Sequence, residues 1–92
     1  MAAYTYDAKE HVKKLFKKME KRSPMQLLII RKKLVQILDN PYRFKPLSKP
    51  MLGIRAVHVD KSFVLTYSID EIRKVVTLED YDHHDNIYES SV

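Results

Sequence analysis

Apolar residues in the first forty positions recur at helical spacing. Val12, Leu15, Phe16 and Met19 stand at i, i+3, i+4 and i+7, one stripe of an amphipathic helix, and Lys13, Lys14, Lys17, Lys18 and Lys21 fill its other faces. Arg22, Ser23 and Pro24 break the stripe and restart it. Ser23 is placed to cap a second helix, and Pro24 suits a first turn, where its missing amide hydrogen would have no partner. The second helix is predicted from about Pro24 to Asp39. Leu27, Ile30, Leu34, Ile37 and Leu38 form its buried stripe, Leu28 and Val35 widen it, and Arg31, Lys32 and Lys33 lie on the outer side. Asn40 and Pro41 end it.

The stretch NPYRFKPLSKP carries prolines at 41, 46 and 50, which exclude regular helix and a central strand and predict an extended connector over the surface. After Gly53, the only glycine, the period changes to two. IRAVHV, FVLTYSI and KVVTLEDY are rich in β-branched and aromatic residues and predict three antiparallel strands, with breaks of hairpin length at Asp60 to Ser62 and Asp70 to Arg73. Residues 3 to 7, AYTYD, predict a short first strand. The fold class is therefore α+β: a short N-terminal strand, a two-helix hairpin and an antiparallel β-meander. The hairpin is expected to cover one face of the sheet, leaving the opposite face, or its edge near the C-terminus, for function. The segment from Asp82 to Val92, with its run of acids and with Ser90 and Ser91, predicts weak packing beyond Tyr88.

Length adds that 92 residues suffice for one core and not two, so residues 1–92 are expected to form a single domain. The absence of cysteine excludes disulfides, cysteine-based zinc sites and thiol nucleophiles. No apolar run approaches the roughly 20 residues of a membrane span, and the first residues lack a signal core, so a cytoplasmic location without membrane contact is expected. The charge of +5 is unevenly placed. Residues 1–55 hold 14 basic and 4 acidic side chains, a net +10, and residues 56–92 hold 3 basic and 8 acidic, a net −5. A basic helical half suits a polyanionic partner, although lysine-rich helix faces also serve simply as solubilising surface.

Four histidines are candidates for chemistry. His11 lies on a polar helix and is expected at the surface. His83 and His84 are adjacent, but consecutive side chains on an extended chain point to opposite sides, and no H-E-x-x-H helix is present, so neither a metal site nor a cofactor is expected. His58 and His84 carry the side chain suited to proton transfer near neutrality. RNA transesterification needs two such groups, one to take the 2′-hydroxyl proton and one to protonate the departing 5′-oxygen, with cations to stabilise charge on the phosphate. From the residues alone, His58 serves equally as a hydrogen-bonded sheet histidine.

The helix end DNP, the connector KPLSKPMLGIR, the strands AVHVDKSFVLTYSID and the terminal YDHHDNIY, in this order and at these spacings, resemble the RelE/ParE toxins, most closely their YafQ-like branch. In that branch a connector histidine precedes the P-L pair; here it is Lys45. The strand histidine of an A-H-V-like motif is His58, and the acidic residue four positions on is Ser62. The histidine four residues before a terminal aromatic is His84, with Tyr88. Relative to RelE itself, Val64 and His84 each stand where that toxin carries an arginine. The resemblance implies a type II toxin that cuts mRNA in the ribosomal A site without metal. It implies His84 as general acid, His58 as base, Lys45 and Arg55 at the phosphate, Lys61 and Ser62 beside the substrate, and Tyr88 stacking on a base or orienting the backbone. It also implies a cognate acidic antitoxin of RelB/DinJ type and docking of the basic helices on ribosomal RNA. The competing expectation is a ParE-like gyrase poison or an inactive relative, since such proteins share the fold without a catalytic constellation. The His84 and Tyr88 spacing favours the nuclease. A plain RNA-binding module ranks last, because no RNP-like motif or G-x-x-G loop is present.

Overall fold

The computed structural model describes residues 4–47 and 53–89, with side chains as far as Ile87. Its elements run β1 (Thr5–Ala8), α1 (Glu10–Arg22), α2 (Pro24–Asp39), β2 (Ile54–His58), β3 (Phe63–Asp70), β4 (Val75–His83) and α3 (His84–Glu89). The four strands make one sheet in the order β1-β4-β3-β2. β2, β3 and β4 are antiparallel neighbours, and β1 pairs with β4 in parallel. The α+β expectation thus holds. No helix among the described residues is long and apolar enough to cross a membrane.

Ser23 separates the two helices. Its amide donates to the Met19 carbonyl at 2.9 Å and its carbonyl accepts from Leu27 at 3.1 Å, so one residue closes α1 and opens α2. Its side chain makes no capping hydrogen bond, contrary to expectation; Pro24 at the first helical position starts α2 instead. Val12, Met19, Leu27, Ile30 and Ile37 bury against Val57, Val59, Leu65, Tyr67, Val76, Leu78 and Tyr81, forming the main core between the hairpin and one sheet face. Tyr67 is fully buried and its hydroxyl donates to the Pro41 carbonyl at 2.6 Å, tying the end of α2 to β3; burial pushes its pKa up to about 12. Leu28 and Val35 do not widen the buried stripe: they are 47% and 68% exposed.

The opposite sheet face also departs from expectation. It is partly covered, because α3 and the connector pack on it: Leu47, Val64 and Ile87 form a second buried cluster with Ile54 and Ala56 against it. Ile87 is only 4% exposed, so the chain stays packed through this point; the weak packing expected beyond Tyr88 lies outside the residues whose side chains are described. The start of α3 is fixed by Asp82, whose Oδ1 accepts from the His83 amide at 2.7 Å and from Asn86 Nδ2 at 3.0 Å. The connector is not wholly irregular either. Pro46 bridges to Arg55, the Leu47 amide donates to Ile54 at 2.8 Å and the Ala56 amide to Lys45 at 3.2 Å, extending the sheet beyond β2 by a short edge segment.

Candidate active site

The edge segment and β2 form an open cleft of about 630 Å³, lined by Lys33 of α2, Phe44 to Leu47 of the connector and Ala56 to His58 of β2. It brings together Lys45 and His58, two of the residues selected from sequence. Both have exposed side chains. His58 pairs across the sheet with Val64, and Val64 with Asp82, so His58 faces the side that α3 occupies.

The same end of the sheet carries His84. β2 ends at His58, β3 begins at Phe63, paired with His83, and the His84 amide donates to the Ser62 carbonyl at 2.7 Å. Ser62 thereby acts through its backbone as the latch that seats α3. Its own amide and that of Phe63 donate to Asp60 Oδ1, each at 2.8 Å, and the Gln26 amide group donates to Asp60 Oδ2 at 2.8 Å. Hydrogen bonds from Ser62, Gln26 and Phe63 hold the Asp60 carboxyl below its ordinary range, so this turn carries a fixed negative charge. Lys61, at the exposed tip of the same turn, does not line the cleft.

Arg55 has a different occupation from the phosphate contact expected of it. It pairs with Tyr67 on the helix-covered face, opposite to His58, and its Nη1 donates to the Phe44 carbonyl at 2.7 Å and to the Tyr42 carbonyl at 3.5 Å. The guanidinium carbon also lies 5.0 Å from the centre of the Tyr42 ring. It holds the connector that presents Lys45. Lys33 was missed as a cleft residue, although a signal existed: it occupies the i+3 place of the stripe Ile30, Lys33, Leu34 and Ile37, where an apolar residue belongs. Tyr88 falls in α3, and its side chain lies outside the described residues.

His83 and His84 overturn the expectation that their rings diverge. The strand ends between them and the chain turns into α3, so the rings stack with centroids 4.6 Å apart. His84 Nδ1 lies 3.0 Å from Asp85 Oδ1, and His83 Nδ1 lies 3.6 Å from Asp85 Oδ2 and accepts the Asp85 amide at 3.2 Å. His11, exposed as expected, stands 3.4 Å from Asp80.

Lys14, Lys17, Lys18 and Lys21 line one basic face of α1. The acids of the C-terminal half are partly matched by α1 and the residue before it: Lys9 lies 3.9 Å from Glu79 and His11 3.4 Å from Asp80, while Lys13 lies 3.3 Å from Asp7 of β1.

A short strand, a helical hairpin and an antiparallel meander, with a basic cleft at the sheet edge, define a small α+β fold. No family sequence profile matches the chain. A Methanocaldococcus jannaschii protein described as "Putative toxin RelE4" is 41% identical over 85 residues, spanning 92% of this chain and 90% of the relative. A Methanosarcina mazei protein described only as uncharacterized is 55% identical over 73 residues, 79% of this chain and 85% of the relative. Among solved structures, a YoeB/ParE toxin from Agrobacterium tumefaciens superposes with a TM-score of 0.79 at 10% identity, covering 87% of this chain and 98% of that one. Escherichia coli RelE in complex with an antitoxin RelB peptide gives 0.69 at 22% identity, covering 100% and 96%. YafQ in the E. coli DinJ–YafQ complex gives 0.62 at 22% identity, covering 92% and 98%. The chain belongs to the RelE/ParE superfamily of toxins from toxin–antitoxin systems.

Proposed function

We propose that this toxin is a metal-independent endoribonuclease that cuts mRNA on the ribosome, with the histidine chemistry of the YafQ-like branch. The observation that carries this reading is the placement of Lys45 and His58 in one open cleft, at the sheet end where His84 begins α3. His58 takes the proton from the ribose 2′-hydroxyl. The 2′-oxygen attacks the phosphorus in line, the bond to the 5′-oxygen breaks, and His84 protonates that leaving oxygen, giving a 2′,3′-cyclic phosphate and a 5′-hydroxyl end. Lys45, with Lys33 on the far wall, offsets the charge gathering on the phosphate. Asp85 holds His84 Nδ1 and leaves Nε2 for the proton transfer. Tyr88 stacks on a base. The lysine face of α1 docks on ribosomal RNA through phosphates.

The partner is a cognate acidic antitoxin. Met25, Leu28 and Val35 leave an exposed apolar stripe on α2 beside a basic surface, which suits an acidic chain that folds on binding. Primer-extension mapping of mRNA ends after induction tests the activity. New ends within translated messages are expected for the wild type and not for folded His84→Gln or His58→Gln variants. Intact mRNA with arrested replication would overturn the reading in favour of gyrase poisoning.

A further inference from the structure

We propose that His83, His84 and Asp85 form a binding site for a divalent transition-metal ion of the zinc type at the junction of β4 and α3. One ligand atom from each residue lies within 4.8 Å of the other two, and the three have to draw together to reach the roughly 2.0–2.2 Å that zinc takes from imidazole nitrogen and carboxylate oxygen. The two imidazoles select against magnesium and calcium, which take oxygen ligands, and favour zinc, nickel or copper.

The arrangement is built rather than incidental to three neighbouring residues. The Asp85 amide donates to His83 Nδ1 at 3.2 Å and so fixes the orientation of that ring; an ion on the same nitrogen has to displace this bond, because the nitrogen has one lone pair. The His83 ring is backed edge-on by Phe63 at 5.8 Å, and Phe63 itself stacks on buried Tyr81 at 5.4 Å. The turn between the histidines is fixed by Asp82 to Asn86 and by Ser62 to His84. Second-sphere groups of this kind orient ligands and raise affinity. Water completes the coordination on the solvent side, as the two histidines are only part-buried and Asp85 is exposed.

The ion is a regulator and not a cofactor. An ion held by His84 ties that ring to the metal and adds bulk and charge where the leaving oxygen would have to approach, so occupancy switches cleavage off. That consequence rests on the acid role proposed for His84; the site itself does not.

Calorimetric titration of the chelator-treated full chain with zinc chloride tests the site. One saturable equivalent is expected, with affinity at least about tenfold weaker in His83→Ala and in Asp85→Ala, and unchanged in His11→Ala. Copper added to the wild-type protein provides a second measurement that needs no variant: paramagnetic broadening of amide signals is expected to centre on residues 83–85. No saturable uptake, or broadening centred on His11 or His58, overturns the site. In cleavage assays zinc is expected to inhibit the wild type and not His83→Ala, and chelation to leave cleavage intact. Zinc that binds at residues 83–85 without inhibiting overturns the acid role of His84 and leaves the site standing.

Discussion

Arg55 donates from Nη1 to the carbonyl of Phe44 at 2.7 Å, a charge-assisted bond from β2 back to the connector that positions Lys45. Arg55 and Phe44 are part-buried, so the Phe44 carbonyl is not readily taken over by water when the guanidinium is lost. Arg55→Ala is expected to cost about 2 kcal/mol in chemical denaturation. It is also expected to reduce cleavage by loosening the connector. Arg55→Lys keeps the charge but not the planar guanidinium that lies against the Tyr42 ring, so it should restore only part of the loss. Lys45→Ala, by contrast, should reduce cleavage and leave the denaturation midpoint unchanged. Equal stability in Arg55→Ala would show that the connector holds its place without this bond.

Acid sensitivity is expected to centre on Glu71. Its carboxylate accepts from Lys74, from the Tyr42 hydroxyl at 2.5 Å and from the Tyr4 hydroxyl at 2.7 Å, joining the β3–β4 turn to the connector and to the residue before β1. These bonds, that of Lys74 first, lower its pKa to about 2 from an ordinary 4.5. A carboxylate depressed in the folded state contributes stability that is fully present above about 4.5 and disappears as pH falls towards 2. Glu71→Gln should therefore lower stability at neutral pH and flatten its decline between those values. An unchanged slope in thermal melts across that range would remove Glu71 from the acid response.

The parts of the fold read correctly from sequence are those with local punctuation. α2 begins at Pro24 and ends at Asp39 as expected, because Ser-Pro and Asn-Pro mark its ends and apolar periodicity fills the interval. α3 was not legible: six residues, HDNIYE, are too few to show a period, and the one described apolar anchor, Ile87, has its reason in Val64 and Leu47, far away in the chain. The same turn brought the His83 and His84 rings together, which strand alternation could not foresee. Leu28 and Val35 fit the buried period and yet are exposed, since periodicity marks an apolar face and not what covers it. The pairing of Lys45 with His58 came from resemblance, as 13 positions separate them and the edge pairing of Pro46 with Arg55, with the Leu47 and Ala56 amide bonds beside it, closes that gap.

Docking of α3 should control the site, because His84 is carried by the helix that Ile87 anchors. Removing buried methyl groups at Ile87→Ala is expected to cost about 2 kcal/mol, limited by local release of α3 from the sheet. Hydrogen exchange should then rise first at the His84 amide, which is bonded to Ser62 at 2.7 Å, before the amides of β3. Cleavage should fall with it. Uniform exchange across the sheet would instead show that α3 and the core unfold together.

The basic face of α1 offers a test that leaves the fold untouched. Lys14, Lys17, Lys18 and Lys21 are exposed, and none of them takes part in an ion pair among the described residues, so replacing all four by glutamine removes no described internal contact. If these side chains meet RNA phosphates, each contact releases counterion and adds roughly 0.7–0.9 to the slope of log affinity against log salt. The quadruple variant is then expected to bind ribosomes more weakly at low salt, with a slope shallower by up to about 3. Its melting temperature should match the wild type or exceed it slightly, because like charges three and four residues apart on a helix repel. The chemistry at His58 and His84 should survive on a short model RNA at high concentration, separating docking from cleavage. An unaltered salt slope would mean that the lysines only solubilise α1, and that ribosome binding runs through Arg31, Lys32 and the cleft lysines instead.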